Sequence, residues 1–589
     1  MKALLSGNEA IARGAYEAGV RVAAAYPGTP STEILENVVR YEGIYAEWSP
    51  NEKVALEVGT GAAIAGARAL VAMKHVGVNV AADPLFTASY TGVRGGLVIV
   101  TADDPEMHSS QNEQDNRNYA RFAKIPMLEP ADSQEAKDFV LLAFELSEKY
   151  DTPVFLRTTT RIAHAKSIVE LAEPLRPALP ETLEKQPEKF VMLPKNARVR
   201  HPVVEERMRS LAAFADTFDK NETDIRDTSC GIITSGVCYQ YARESFPEFS
   251  FLKLGMVNPL PAGKIRDFAR LVDKLYVFEE LDPFFEEQIK ALGIAVTGKD
   301  VFPLCGEFSP TVAMEGISGR QSREPEKPLV EYLPPRPPNM CPGCPHRGIF
   351  HSLSKMKVFV TGDIGCYTLG ALPPIQAMDT CICMGASIGH AMGIAKALGE
   401  KALGKAVAVI GDSTFLHSGI TGLLDVVYNK GACTVIILDN RTTAMTGRQE
   451  HPGTGYTLRG EETKSTDYES LCSALGIEHV VRVNPYDLKQ IETVLKEEIN
   501  RPEPSVILSD APCVLYRRGK KPGDRPLKVI EADCVGCKAC LQIGCPAIEW
   551  HKQEKGGKAF INQVLCTGCS VCAQLCNAGA ITGEPDHNG

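Results

Sequence analysis

The sequence predicts a multidomain α/β protein that ends in a small cysteine-rich module. Three observations lead there. The chain of 589 residues is longer than the roughly 250–300 residues at which single hydrophobic cores stop growing. Along most of it, apolar strand-like runs alternate with Ala-rich helical stretches, the rhythm of βαβ units and parallel sheets. Eight of the nineteen cysteines fall between Cys534 and Cys576, at spacings that suit iron better than disulfides.

Residues 1–165 hold the runs "RVAAAYPG", "GLVIVTAD" and "TPVFLRT" and are expected to form one α/β domain. Residues 166–227, charged and scattered with prolines, read as a connector. A second, smaller α/β unit is expected over 228–323, from "CGIITSG", "FLKLGMV" and "KLYVFEEL". The Pro-rich stretch 324–340 is stiff and extended, and so a boundary. A third α/β domain follows over 341–520, strongest at "KAVAVIGDS" and "CTVIILDN", and the cysteine module occupies 526–585.

Composition narrows the function. With 44% apolar and 23% charged residues, the chain reads as ordinary globular protein. No apolar stretch near the N-terminus is long enough for a signal peptide, and nowhere do about eighteen apolar residues run together. A soluble cytoplasmic protein without membrane association is expected. Its cysteines are then thiols or metal ligands in a reducing compartment. A net charge of -10 without a dense Lys/Arg run gives no support for nucleic-acid binding.

The run Cys566-x2-Cys569-x2-Cys572-x3-Cys576 has the bacterial ferredoxin spacing, and Cys534-x2-Cys537-x2-Cys540-x4-Cys545 is one residue longer. In such runs three thiolates hold one cubane and the fourth reaches across to the other. One [4Fe–4S] cluster then takes Cys534, Cys537, Cys540 and Cys576, and a second takes Cys566, Cys569, Cys572 and Cys545. A zinc ribbon needs only two CxxC pairs and leaves half of these thiols without a task.

Two strands of the third domain end in oxygen-bearing residues. "VAVIGDS" reaches Asp412 and "IILDNRTT" carries Asn440; both are expected at carboxyl ends of neighbouring parallel strands, where open α/β sheets bind ligands. A carboxylate, an amide oxygen and the backbone carbonyl of Thr442 are hard donors of the kind Mg²⁺ prefers, with phosphate oxygens completing the octahedron. The pattern resembles the thiamine diphosphate motif, GDG followed by NN. Ser413 replaces the glycine expected after Gly411 and Asp412, and Asp439 replaces the first asparagine; neither change touches the expected ligands. Asp-Ser and Asp-Asn also occur as plain strand-end turns.

Upstream, Gly385, Ala386 and Ser387 in "CICMGASIGHAMGIAKALG" open a helix whose backbone N–H groups can hold a diphosphate, or make a tight turn. Thiamine chemistry also needs a glutamate beside the aminopyrimidine. "SPNEKVALEVGTGAAIAGARALVAMKH" resembles the helix that bears it, which makes Glu52 the candidate. The same Ser49-Pro50-Asn51-Glu52 stretch reads equally as a capping box with Pro at the first helical position.

Together these segments resemble the large-subunit family of indolepyruvate-type 2-oxoacid:ferredoxin oxidoreductases, over about residues 1–585. Members of that family have a lengthened first cluster run, which Cys540-x4-Cys545 matches. The resemblance implies a thiamine-enzyme fold of pyrimidine-binding, transketolase-C-like and diphosphate-binding domains with a ferredoxin-like tail. It implies oxidative decarboxylation of arylpyruvates with CoA to arylacetyl-CoA and CO₂, with two ferredoxins reduced. Thiamine diphosphate would stabilise the carbanion left by decarboxylation, and the clusters would carry its electrons away singly.

Two substrate residues are implied: Thr29 in "AYPGTPSTEI" beside the 2-oxo acid, and Arg94 in "YTGVRGG" as a donor fork for its carboxylate. Pro27-Gly28-Thr29-Pro30 is also an ordinary turn. A third [4Fe–4S] cluster is implied on Cys341 and Cys344 of "CPGCPHRG", Cys366 of "GDIGCYT" and Cys513 of "APCVLY", unless these are buried free thiols. His346 reads as a structural or diphosphate neighbour, not a ligand. A smaller β subunit, in a heterodimer or a dimer of heterodimers, an external ferredoxin and an anaerobic setting complete the expectation. Competing readings are a non-oxidative thiamine-dependent decarboxylase, an oxidoreductase of branched-chain or other 2-oxo acids, and an electron-transfer subunit without catalysis.

Overall fold

The computed structural model describes all residues except 179–182, 320–336, 517, 519–522, 524, 554–555 and 584–589. The chain divides into two compact units, Met1–Leu333 and Pro334–Gly589. The boundary expected over 324–340 lies outside the described residues but for 337–340.

The first unit is built round a seven-stranded sheet in the order Met256–Asn258, Met127–Leu128, Val154–Thr159, Leu97–Asp103, Ala69–Lys74, Val22–Ala25, Tyr45–Trp48. Neighbours run parallel except Met256–Asn258, which pairs antiparallel with Met127–Leu128. Ala69–Lys74, Leu97–Asp103 and Val154–Thr159 are buried at every position. Strands covered on both faces cannot alternate polar and apolar residues, which is why they read as unbroken apolar runs. A second sheet has the order Lys274–Phe278, Asp227–Ser235, Phe249–Leu254, Glu222–Asp224.

A buried charge network ties the two sheets. Arg117 clasps Asp115 and donates to Glu279 at 2.7 Å. Arg157 donates to Asp103 at 2.7 Å and also to Glu129. Taking these charges from water is costly, and only mutual pairing of this kind makes their burial tolerable.

The segment 166–227 is not the open connector the sequence suggests. Lys166–Glu170 pairs antiparallel with Lys2–Ser6, and Pro194–Thr217 is a helix of 24 residues. Its buried residues Val204, Arg207, Leu211 and Ala215 recur at helical spacing. That stripe is diluted by the charges of a largely exposed helix, which gave the segment its linker-like composition.

The second unit holds a six-stranded, all-parallel sheet in the order Thr380–Cys381, Phe359–Gly362, Ala406–Gly411, Thr434–Asp439, Ser505–Asp510, His479–Val483. The cysteine module adds two antiparallel pairs, Ile548–Lys552 with Gly557–Ile561 and Leu527–Val529 with Ile581–Gly583. It is not a tethered bead: Ile543, Ile561 and Val571 of the module share one apolar core with Ile349, Phe350 and Ile491 of the sheet domain.

Candidate functional site

In the first unit the expected residues gather, with one exception, at the carboxyl ends of the parallel strands. Glu52 begins the helix Glu52–Ile64, just after the strand Tyr45–Trp48, and is buried. The helix is capped by Asn51, which accepts the Val54 N–H at 2.9 Å. The capping box expected from Ser49 therefore does not form; Ser49 Oγ donates to Glu47 instead, at 2.7 Å. The cap sits two residues further along the chain, at Asn51, and Glu52 is the first helical residue, not the capping-box glutamate. Its carboxyl lies against Gly77, where an added Cβ would meet Glu52 Oε1 at 2.7 Å. Any side chain at 77 would displace it.

Two strands over in the sheet, beyond Val22–Ala25, the strand Ala69–Lys74 ends in Lys74, which the sequence reading passed over. Lys74 Nζ donates to the Ser109 carbonyl at 2.6 Å, and Ser109 Oγ donates to the Thr29 carbonyl at 3.2 Å. The lysine stem passes Gly28, where a Cβ would lie 3.0 Å from Lys74 Cβ. Burial pushes the ammonium down to about 8, against the pull of Asp104. His75 beside it is pushed down to about 4, first by burial and then by the Lys74 charge. The available signal was a lysine closing an apolar strand in "LVAMKH".

Arg94 is the exception. It precedes Leu97, at the amino end of Leu97–Asp103, and its Nη2 faces Glu184 at 3.4 Å. In a parallel sheet that edge is opposite to the one carrying Thr29 and Lys74, about 20 Å away at ~3.3 Å per strand residue. The structure does not bring Arg94 to the substrate position expected of it, because a residue just before a strand falls at the wrong end.

In the second unit Asp412 and Asn440 follow adjacent parallel strands in register through Gly411 and Leu438. Asp412 accepts the Ser413 N–H at 2.8 Å on Oδ1 and the Arg441 N–H at 2.7 Å on Oδ2. His451 Nε2 lies 3.3 Å from the same Oδ2. Burial works to raise the Asp412 carboxyl, but His451, the Ser413 N–H and a side-chain bond with Asp439 hold it below the ordinary value. Asp439 is pushed up to about 8 by burial and then by the charges of Asp412 and Asp510. Asn440 Oδ1 accepts the Thr442 N–H at 3.2 Å. An ionised carboxylate, an amide oxygen and the adjoining Thr442 carbonyl form a donor set that fits a small hard dication. Ser413 and Thr443 link the two loops, Oγ to Oγ1, at 2.9 Å.

The helix Ala386–Leu398 begins where expected, yet its first N–H groups are not open to a diphosphate. Those of Gly385 and Ser387 bond the Asp363 carboxylate, Ser387 Oγ adds a bond at 2.8 Å, and the Ala386 N–H turns to the Cys383 carbonyl at 3.2 Å. A carboxylate already occupies the positive end of this helix. Asp363 itself is pushed up to about 7 by burial, opposed by the bonds from Tyr367 and Ser387. Nothing local to residues 385–387 announced it.

Asn440 also joins the metal motif to cysteine. Its Nδ2 donates to His346 Nε2 at 3.1 Å, and its carbonyl accepts the Cys513 N–H at 2.8 Å. The Cys344 thiol faces those of Cys366 and Cys513, and both of these face Cys341. Cys344 and Cys366 are each pushed up to about 12, by burial first and then by other members of the set. In the module, Cys534, Cys537, Cys540 and Cys576 line one pocket, and Cys545, Cys566, Cys569 and Cys572 line another. Each pocket draws its fourth thiol from the other run. Their remaining walls are largely apolar, and four thiols in such a lining suit a cubane.

Arg347 bridges two of these sets. Its Nε donates to the Cys341 carbonyl at 3.1 Å, Nη1 to Ile543 at 2.9 Å, and Nη2 to Asn339 at 3.3 Å and to Met340. All four acceptors are neutral oxygens, while the thiols of Cys545, Cys344, Cys341 and Cys569 surround the guanidinium.

Comparison with known proteins agrees with this division. Residues 13–222 match the family described as pyruvate flavodoxin/ferredoxin oxidoreductase, thiamine diphosphate-binding, and 363–508 match the C-terminal binding domain of thiamine pyrophosphate enzymes. Indolepyruvate oxidoreductase subunit IorA of Archaeoglobus fulgidus is 42% identical over 98% of this chain and 97% of its own. The subunit of that name from Pyrococcus horikoshii is 41% identical over 98% and 96%. The 2-oxoglutarate synthase subunit KorA of Methanothermobacter thermautotrophicus is 30% identical over 29% of this chain and 47% of its own.

Proposed function

The chain belongs to the family of indolepyruvate oxidoreductase IorA subunits, and on that premise we propose that it catalyses ferredoxin-dependent oxidation of arylpyruvates. An arylpyruvate, CoA and two oxidised ferredoxins give arylacetyl-CoA, CO₂, one proton and two reduced ferredoxins. Thiamine diphosphate, when bound, supplies an electron sink at the carbonyl carbon that loses CO₂.

Asp412, Asn440 and the Thr442 carbonyl are the oxygens that would hold Mg²⁺, with Gly411 and Ser413 in the turn that carries Asp412. Glu52, in the buried seat that Gly77 leaves open, is the residue that would hold and exchange a proton beside a bound aminopyrimidine. Lys74 pairs with the carboxylate of the 2-oxo acid, in place of Arg94, and Thr29 flanks it. The thiols of Cys341, Cys344, Cys366 and Cys513 would hold one [4Fe–4S] cluster, and the two quartets of the module would hold the others. A smaller subunit and an external ferredoxin complete the system.

The double hold on Asn440 carries this reading. The residue expected to ligate the cofactor's metal is bonded by side chain to His346 and by carbonyl to Cys513, so cofactor chemistry and a thiol set share one residue. To test it, the chain is purified anaerobically with its smaller partner, and reduction of ferredoxin by indolepyruvate is followed with CoA and thiamine diphosphate omitted in turn. Reduction that needs both is expected. Release of CO₂ with no acceptor reduced would replace this reading with non-oxidative decarboxylation.

A further inference from the structure

Beside the first thiol quartet the module surface opens into a groove of about 530 Å³, lined by Cys534, Val535, Trp550 and three lysines, Lys538, Lys552 and Lys558. None of the described residues that line it is a carboxylate, although the whole chain carries a net charge of -10; Glu531 stands at its edge, where Oε1 accepts from Gln553 Nε2 at 2.6 Å. Lys538 Nζ sits 4.8 Å above the Trp550 ring, and Lys558 Nζ donates to the carbonyls of Glu531 and Cys534. Among the described residues none of the three lysines is ion-paired. Val535 is 73% exposed, and Cys537, a member of the quartet, is itself exposed.

These features combine a thiol set, a rim of three lysines facing one carboxylate among the described residues, and an exposed apolar residue. A rim of one sign on a chain of the other sign steers and orients a partner of opposite charge. We propose that this groove is the docking surface for a small acidic iron–sulfur protein, the electron acceptor of the reaction. The proposal rests on the oxidoreductase reading above and adds where the acceptor binds. Each encounter would pass one electron from a reduced [4Fe–4S] group, of the kind Cys534, Cys537, Cys540 and Cys576 would hold, to the oxidised centre of the acceptor. Two encounters balance each 2-oxo acid oxidised, and no covalent bond forms or breaks in the transfer. Lys538 and Lys552 are positioning residues: they bring the acceptor's centre to the exposed thiol side.

The test uses the complete anaerobic complex, a small acidic [4Fe–4S] ferredoxin, and the charge reversals Lys538→Glu and Lys552→Glu. Binding of the oxidised ferredoxin is measured directly, and KM and kcat are measured with ferredoxin and with methyl viologen. Binding should weaken roughly tenfold in each variant and in ~0.5 M salt. KM for ferredoxin should rise in parallel while the viologen rate is unchanged. Ferredoxin binding and KM indifferent to both reversals would overturn the proposal. So would loss of the smaller subunit from the variants, which would make the groove that subunit's seat. Absence of viologen reduction by the unmodified complex would sink the oxidoreductase reading, and the binding arm would still decide the docking site.

Discussion

At the scale of single residues, the account turns on side chains held where their chemistry is costly. Glu52 is buried against Gly77, so Glu52→Gln should keep the fold and lower kcat by about 10²–10⁴-fold, the range for loss of a positioned proton-transfer group. Steady-state kinetics beside a thermal melt would check it. Lys74, pushed down to about 8, is charged below that pH and neutral above. If it pairs with the substrate carboxylate, kcat/KM should fall as pH rises through about 8, and Lys74→Arg should remove the fall. The linkage has an opposite face: the unfolded chain keeps this lysine protonated up to its ordinary range, so burial costs stability below pH 8 and the cost fades above it. Lys74→Met should therefore melt higher than the parent at neutral pH and lose its advantage at alkaline pH. The placement of Glu52, Asp412 and Asn440 just after strand ends was legible because their motifs are local in sequence. Lys74 and Asp363 were not, since each acquires its role from partners on other strands, and Arg94 was misplaced because sequence alone did not say at which end of the sheet it falls.

At the scale of elements, the grouping of the module's thiols was the most legible feature, because short spacings keep three of each run together and the fourth lines the other pocket. The Pro194–Thr217 helix was the least legible, its four-residue buried stripe outweighed by surrounding charge. Arg347 belongs between these extremes: its residue was in view, but its bridge from Met340 and Cys341 to Ile543 spans segments far apart in the chain. Removing a buried cation from beside two thiolate sets disfavours the extra negative charge of reduction. Arg347→Gln should accordingly shift cluster potentials to more negative values, with Arg347→Lys restoring part of the shift; a redox titration followed by EPR measures both. The cap on the Glu52–Ile64 helix offers a milder perturbation, Asn51→Ala, with an expected loss of about 1 kcal/mol read by denaturant unfolding.

At the scale of the whole molecule, the two units carry different burdens. The first is held by the network of Arg117, Arg157, Asp103, Asp115, Glu129 and Glu279, and Arg117→Ala, which strands buried carboxylates, should cost about 3–5 kcal/mol. The second joins a metal motif, three thiol sets and an exposed groove within one compact body. The α/β alternation predicted the parallel sheets, but not that residues 256–258 would join the first sheet, since pairing across so long an interval leaves no local mark. The central claim is that electrons released from the 2-oxo acid enter this chain's clusters. The direct measurement is to mix the oxidised anaerobic complex with indolepyruvate, thiamine diphosphate and CoA, without any ferredoxin, freeze it within a turnover, and read cluster reduction by EPR beside CO₂ release. The account predicts reduced clusters that appear with CO₂ and vanish when thiamine diphosphate is withheld; CO₂ released while every cluster stays oxidised would contradict it.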